Sequence, residues 1–235
     1  MSLLMLLLPL TLFATADEPA VLVDQCFTIL QPGGDDAIGN YSLYAEEAGG
    51  RVTIKESLEL TAKGQEIGMA STVIYKAGEG QSWLLHEAEA TTTVAGQQAM
   101  KASLVPEEGP RKWKVKMSLH VGRRGETLDE PKTIERTVNV PEGPVLFSLA
   151  QAVIGPRIQP EPGEQPIVWV EFPDDVDESL NIKHGFSIVR SQADADGGYT
   201  LTVRSERREL GAMPLTRDGK ILPHKLWGEA PLREE

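Results

Sequence analysis

Four polar side chains interrupt apolar stripes in this sequence. Glu56 stands among Val52, Ile54, Leu58 and Leu60, Ser71 between Met69 and Val73, Arg136 between Ile134 and Val138, and His184 between Ile182 and Phe186. Each falls on the parity that a strand turns toward its core. An unpartnered buried charge is very costly. Glu56 and Arg136 should therefore pair across the interior, or the inner face should hold water around a cavity. With Glu56 as base, His184 as acid or base and Arg136 as anion clamp, such a pocket could be catalytic. Ser71, His184 and Glu56 also supply the residue types of a hydrolytic triad, which geometry rather than composition defines. A bulge that shifts register, or a position at a strand end, would turn these groups to solvent instead.

The other chemistry-bearing stretches read as structure. His86-Glu87-Ala88-Glu89-Ala90 begins like a zinc motif but lacks the second histidine, and it lies in a strand-like run where that motif needs a helix. Asp194-Ala195-Asp196-Gly197 resembles part of a calcium loop, yet Val203 falls where the bidentate glutamate is required, so a hairpin turn is expected. Asp174, Asp175, Asp177 and Glu178 read as a solvated acidic loop. Lys112, Lys114 and Lys116, with Arg204, Arg207 and Arg208, read as charged solvent faces. The chain contains no G-x-S-x-G elbow, no P-loop and no C-x-x-C pair. No metal and no cofactor are expected.

The elements that must position these residues are strands. Trp113, Val115, Met117, Leu119 and Val121 share one parity, while Lys112, Lys114, Lys116, Ser118 and His120 take the other. Ile67 to Tyr75, Met100 to Leu104, Leu180 to Ile188 and Tyr199 to Val203 alternate similarly, and Ile167 to Phe172 reads as a more buried strand. Lys63-Gly64, Ala95-Gly96, Asp196-Gly197-Gly198 and Asp218-Gly219 supply turns. Short connections favour antiparallel neighbours, so the order predicts a long meander of roughly nine to eleven strands. It should curl into an open or closed barrel. Leu146, Leu149, Ala150 and Val153 mark one helical face, which predicts a single helix over about 144–154 packed on the sheet.

Leu3 to Phe13 is an apolar run too short to span a bilayer, and Ala14-Thr15-Ala16 follows with small residues. Residues 1–16 therefore read as a signal peptide, 17–228 as a single β-rich domain and 229–235 as a disordered tail. The protein should be exported, periplasmic or extracellular, with no transmembrane span after cleavage. The formal net charge is −12, a field that repels polyanions and argues against nucleic acid as a partner. Cys26 is the single cysteine, so no internal disulfide forms, and it reads as a small buried apolar residue. Asn40-Tyr41-Ser42 is a glycosylation sequon, relevant only in a eukaryotic secretory pathway.

The order of elements, Pro144 to Pro156 and the TRDGKIL stretch from Thr216 to Leu222 give the chain a resemblance to uncharacterised exported bacterial β-meander proteins. These resemble the lipoprotein-carrier-like half-barrel class. The resemblance covers most of residues 38–227 and implies an open half-barrel around an apolar cavity, with a hydrophobic cargo. The expected function is thus non-catalytic: an exported protein that holds an apolar or amphipathic small molecule or lipid, or a cell-envelope protein, on a curved sheet. Its expected lining is Met69, Trp83, Trp113, Met117, Leu146 and Leu149 beside the polar Glu56, Ser71, Arg136 and His184. The alternatives are a hydrolase-like enzyme built on that polar cluster, or an assembly module that uses a free sheet edge.

Overall fold

The computed structural model describes residues 18–62, 64–78, 82–108, 111–121, 127–172, 180–206, 209–226 and 230–234. Eight strands follow one another as an antiparallel meander: β1 (Ala20–Leu30), β2 (Ala37–Ala48), β3 (Arg51–Ala62), β4 (Gln65–Ala77), β5 (Trp83–Val94), β6 (Gln97–Pro106), β7 (Lys112–Val121) and β8 (Thr127–Asn139). A smaller sheet contains β9 (Val145–Phe147), β10 (Gly163–Glu171), β11 (Asn181–Arg190), β12 (Tyr199–Ser205) and β13 (Glu209–Leu215), in the order β13-β12-β11-β10-β9. The chain then returns through β14 (Lys225–Leu226) and β15 (Ala230–Glu234) to the first sheet, whose order is β14-β15-β1-β2-β3-β4-β5-β6-β7-β8. Neither sheet closes on itself. The protein is mainly β, an open antiparallel meander with, among the described residues, one α-helix packed on it.

Alternation makes the large sheet two-faced. Trp113, Val115 and Met117 are buried while Lys112 and Lys116 are exposed, and Lys114 and Lys116 both grip Glu135 of the neighbouring strand. Val52, Ile54 and Leu58 on β3 and Val73 and Tyr75 on β4 form the same inward row. A two-residue hairpin of type I′ matches the strand twist with positive φ at both central positions. Gly49-Gly50 (φ 55° and 70°) and Ala95-Gly96 (φ 50° and 76°) satisfy this. Asp194 caps the β11–β12 turn, where its carboxylate accepts from the amides of Asp196 (3.0 Å) and Gly198 (2.8 Å). The stretch that resembles a calcium loop is thus a turn.

The helix differs in position from the sequence reading. Val145–Phe147 form β9, a 3-10 turn covers Ser148–Ala150, and the helix α1 runs over Gln151–Ile158 with Pro156 inside it. The three apolar residues are claimed by a parallel ladder with β10, Val145 opposite Val168 and Phe147 opposite Val170. Burial in that ladder overrides the helical spacing. A parallel pair needs a crossover connection, and α1 provides it. Gly155 lets α1 approach the small sheet: a β-carbon there would lie 2.8 Å from Ile188 Cδ1. On its other side Arg157 reaches Glu47 of β2 at 3.1 Å. One buried cluster therefore joins α1 and both sheets, with Ile54 and Tyr75 from the first and Val170, Ile188 and Leu201 from the second.

Two further expectations are corrected. Residues 230–234, expected in a disordered tail, form β15 and pair with β1, Leu232 opposite Ile29; burial of Leu232 anchors the strand. Cys26 is exposed. Val23, Gln25, Phe27 and Ile29 take the inward parity of β1 and leave Cys26 on the outer face. Residues 1–16, the acidic loop 174–178, Arg207 and Arg208 lie outside the described residues.

Candidate functional site

Strand register brings two of the four misfit polar groups together. Glu56 on β3 stands directly opposite Ser71 on β4, and opposite Leu43 on β2 on its other side. Directly opposed residues on a sheet face carry their β-carbons about 4.5–5.5 Å apart. Tyr41, two pairs further along β2, donates its phenol hydrogen to Glu56 Oε1 at 3.0 Å. Its ring stacks on Phe27 at a centroid separation of 6.0 Å. Leu58, Met69 and Ala90 extend the floor, and Ser148 and Gln151 from the 3-10 turn and α1 contribute to the wall. These residues surround a cavity of about 100 Å³.

The electrostatics follow from burial. Tyr41 and Glu56 are the titratable side chains among the described residues that line the cavity, and no lysine, arginine or histidine is among them. Desolvation pushes the Glu56 carboxyl up to about 8, against the opposing effect of the Tyr41 hydrogen bond. Burial, and then the Glu56 charge, raise the Tyr41 phenol. At neutral pH Glu56 therefore holds its proton. Ser71 Oγ is buried beside it without a hydrogen-bond partner, an arrangement uncommon enough in folded proteins to require explanation. The site can present hydroxyl, amide and carboxyl groups to a small polar group beside the apolar surface of Leu58, Met69 and Ala90.

The other expected site residues are dispersed. Arg136 does not pair with Glu56: it is exposed on β8, the edge of the large sheet, opposite Val115. A side chain on the inward parity of an edge strand escapes to water around that edge. His184 is exposed as well. The β10–β11 register shifts between Ile167 and Trp169, which leaves His184 and Gly185 opposite the single residue Val168. This bulge breaks the parity on which His184 was placed inward. Neither the Glu56–His184–Arg136 pocket nor the Ser71–His184–Glu56 triad is assembled.

The expected lining also divides. Met69 reaches the cavity with Glu56 and Ser71. Trp113 and Leu146 are core, and Met117 packs with Ala102 in a separate small cluster. Trp83 lies under the Arg157 guanidinium, 5.7 Å from ring centroid to carbon. The Leu149 side chain lies outside the described residues. His86 sits in a strand, 3.1 Å from Glu87. Arg204 pairs with Glu164 across the small sheet.

Tyr41, Ser57, Thr91, Ser148 and Gln151 escaped the sequence reading of the site. Tyr41 shares an inward parity with Leu43 and Ala45, a pattern visible in the sequence once β2 is recognised. Gln151 had no comparable signal, because its place depends on where α1 begins.

Comparisons with protein-family models, with curated proteins and with solved structures found no match to this chain.

Proposed function

We propose that the protein is a non-catalytic exported β-protein that holds the polar end of an apolar or amphipathic small molecule in the cavity between Glu56 and Ser71. The observation that carries this reading is the unpartnered Ser71 hydroxyl, facing a carboxyl that burial keeps protonated, in a cavity to which Leu58, Met69 and Ala90 add apolar surface. A buried polar group left without a partner costs about 1–3 kcal/mol. A ligand that completes its hydrogen bond recovers that cost on binding.

Size limits the ligand. Pockets that enclose drug-sized molecules measure roughly 300–1,000 Å³, whereas this cavity measures about 100 Å³. It admits a head group or a short chain end, with the rest of a longer molecule outside. Export and the carrier-like resemblance, both read from the sequence, agree with such a role. The free edge favoured by an assembly module has weaker support, since β8 carries Pro131, Lys132, Glu135 and Arg136, residues that discourage edge pairing.

Organic extraction and mass spectrometry of protein purified without detergent test the reading. A small apolar or amphipathic compound should co-purify in stoichiometric amount, and Ser71→Leu, which fills the cavity, should lose it. An extract free of ligand, from protein that also takes up no added short-chain compound, overturns it.

A further inference from the structure

The cavity presents acceptors without a cation to meet them. Glu56 contributes two carboxylate oxygens, one of which already accepts from Tyr41. Ser71 Oγ has both lone pairs uncommitted, and Ser148 and Gln151 add further oxygen acceptors in the wall. The groups that line the cavity with Glu56 are Tyr41 from β2, Ser57 and Leu58 from β3, Met69, Ala70 and Ser71 from β4, Ala90 and Thr91 from β5, and Ser148 and Gln151 from the 3-10 turn and α1. None of them is cationic. A desolvated carboxylate needs either a proton or a counter-ion, and no described residue that lines the cavity supplies a counter-ion.

We propose that this cavity takes a primary ammonium group carried on an apolar stem, seated between the Glu56 carboxylate and the Ser71 hydroxyl. The proposal deepens the ligand-holding reading and rests on it. An ammonium has three donors and no acceptor, which suits the oxygens that Glu56, Ser71, Ser148 and Gln151 bring to the cavity. Its small size suits about 100 Å³, and Leu58 and Met69 give the adjoining methylenes an apolar wall. A carboxylate or phosphate head group would instead place a second negative charge against Glu56. The chain's net charge of −12 attracts cations and repels such anions.

Binding is an exchange of cations. The amine enters as R-NH3+, the Glu56 carboxyl releases its proton to solvent, and the ammonium takes that proton's place; no covalent bond between ligand and protein forms. Because Glu56 holds its proton up to about pH 8 in the empty site, affinity for the amine should rise about tenfold per pH unit from 6 to 8 and then level off.

Titration calorimetry of the intact protein with n-hexylamine and with 1-hexanol tests this. The expected result is tighter binding of the amine at pH 8, release of about one proton per amine at pH 6.5 (read by repeating the titration in buffers of different ionisation heat), and pH-independent binding of the alcohol. Glu56→Gln keeps shape and neutrality, so it should fold, and it should abolish both the proton release and the preference for amine. Equal binding of alcohol and amine, or amine binding without proton release, overturns the ammonium assignment and leaves the ligand-holding reading intact. Failure of both compounds to bind at millimolar concentration overturns both.

Discussion

Gln25 holds the backbone of Ile221 by both ends of its side-chain amide. Its Nε2 donates to the Ile221 carbonyl at 2.9 Å and its Oε1 accepts from the Ile221 amide at 2.8 Å. The two residues belong to different parts of the fold: Gln25 to β1 of the large sheet, Ile221 to the segment that bridges to Leu215 at the end of β13. Gln25→Leu keeps the volume but leaves two buried backbone groups without partners, at about 1–3 kcal/mol for each group left unsatisfied. Urea denaturation should show a lower midpoint with an unchanged slope.

Tyr75 plays a similar part for β9. Its phenol oxygen accepts from the Phe147 amide at 2.8 Å and donates to the Val145 carbonyl at 3.2 Å. Tyr75→Phe should destabilise by about 1–3 kcal/mol. Faster hydrogen exchange at the Phe147 amide, beyond what the global loss of stability explains, would distinguish a local loosening of β9.

Glu56 should impose a pH dependence on stability. Its folded carboxyl titrates at about 8 and its ordinary value is 4.5. Between those values the folded state binds the proton and the unfolded state has released it. Stability from this group is present in full below about pH 4.5 and is lost as pH rises, at about 1.4 kcal/mol per pH unit across the window. Glu56→Gln removes this slope, so the variant should gain on the wild type as pH rises and melt higher at pH 8. Parallel thermal melts of the two proteins from pH 5 to 9 would test it; curves that stay a constant distance apart would contradict the buried carboxyl.

Two glycines should respond differently to alanine. A β-carbon at Gly39 would lie 1.9 Å from the Glu59 carbonyl oxygen, which is backbone and cannot step aside without opening the β2–β3 ladder. Gly39→Ala should cost about 1–3 kcal/mol or more, as overpacking does. At Gly155 the nearest atoms are side-chain ends, Ile188 Cδ1 at 2.8 Å and Leu201 Cδ1 at 3.1 Å. Their small rotations offset the gain of about 1 kcal/mol in helix propensity, so Gly155→Ala should leave the melting temperature nearly unchanged.

Cys26 should react stoichiometrically with a thiol reagent in the folded protein, because it faces out of β1. Cys26→Ser should change stability by less than about 0.5 kcal/mol. Protection of the thiol under native conditions would mean that the β1 register is shifted by one residue.

Strands with one dry face were legible because alternation writes burial into the residue types themselves. Trp113-Val115-Met117 and Tyr199-Leu201-Val203 were read correctly on that basis. Glu56 and Ser71 were found for the same reason, as interruptions in an otherwise consistent pattern. The pattern fails where tertiary geometry decides. At His184 a bulge resets the parity; at Arg136 the position of β8 at the sheet edge cannot be read from the strand's own residues. Val145–Phe147 has an apolar spacing that fits a helix, yet its partner Val168–Val170 lies beyond the crossover and sets the outcome. Division into two sheets escaped for a related reason, since alternation reports that a face is buried but not against what. β1 escaped in part because Gln25 and Cys26 reverse the usual polarity of inside and outside, the amide being satisfied by a backbone far away in sequence.

The pairing of β15 with β1 has a kinetic consequence. Ile29 emerges from the ribosome about 200 residues before Leu232, so the nascent β1 waits through that stretch of synthesis with one row of amides and carbonyls unsheathed. Until its late partner arrives, that row is a template on which another extended polypeptide can add. A holdase that shields the incomplete chain would guard this seam first.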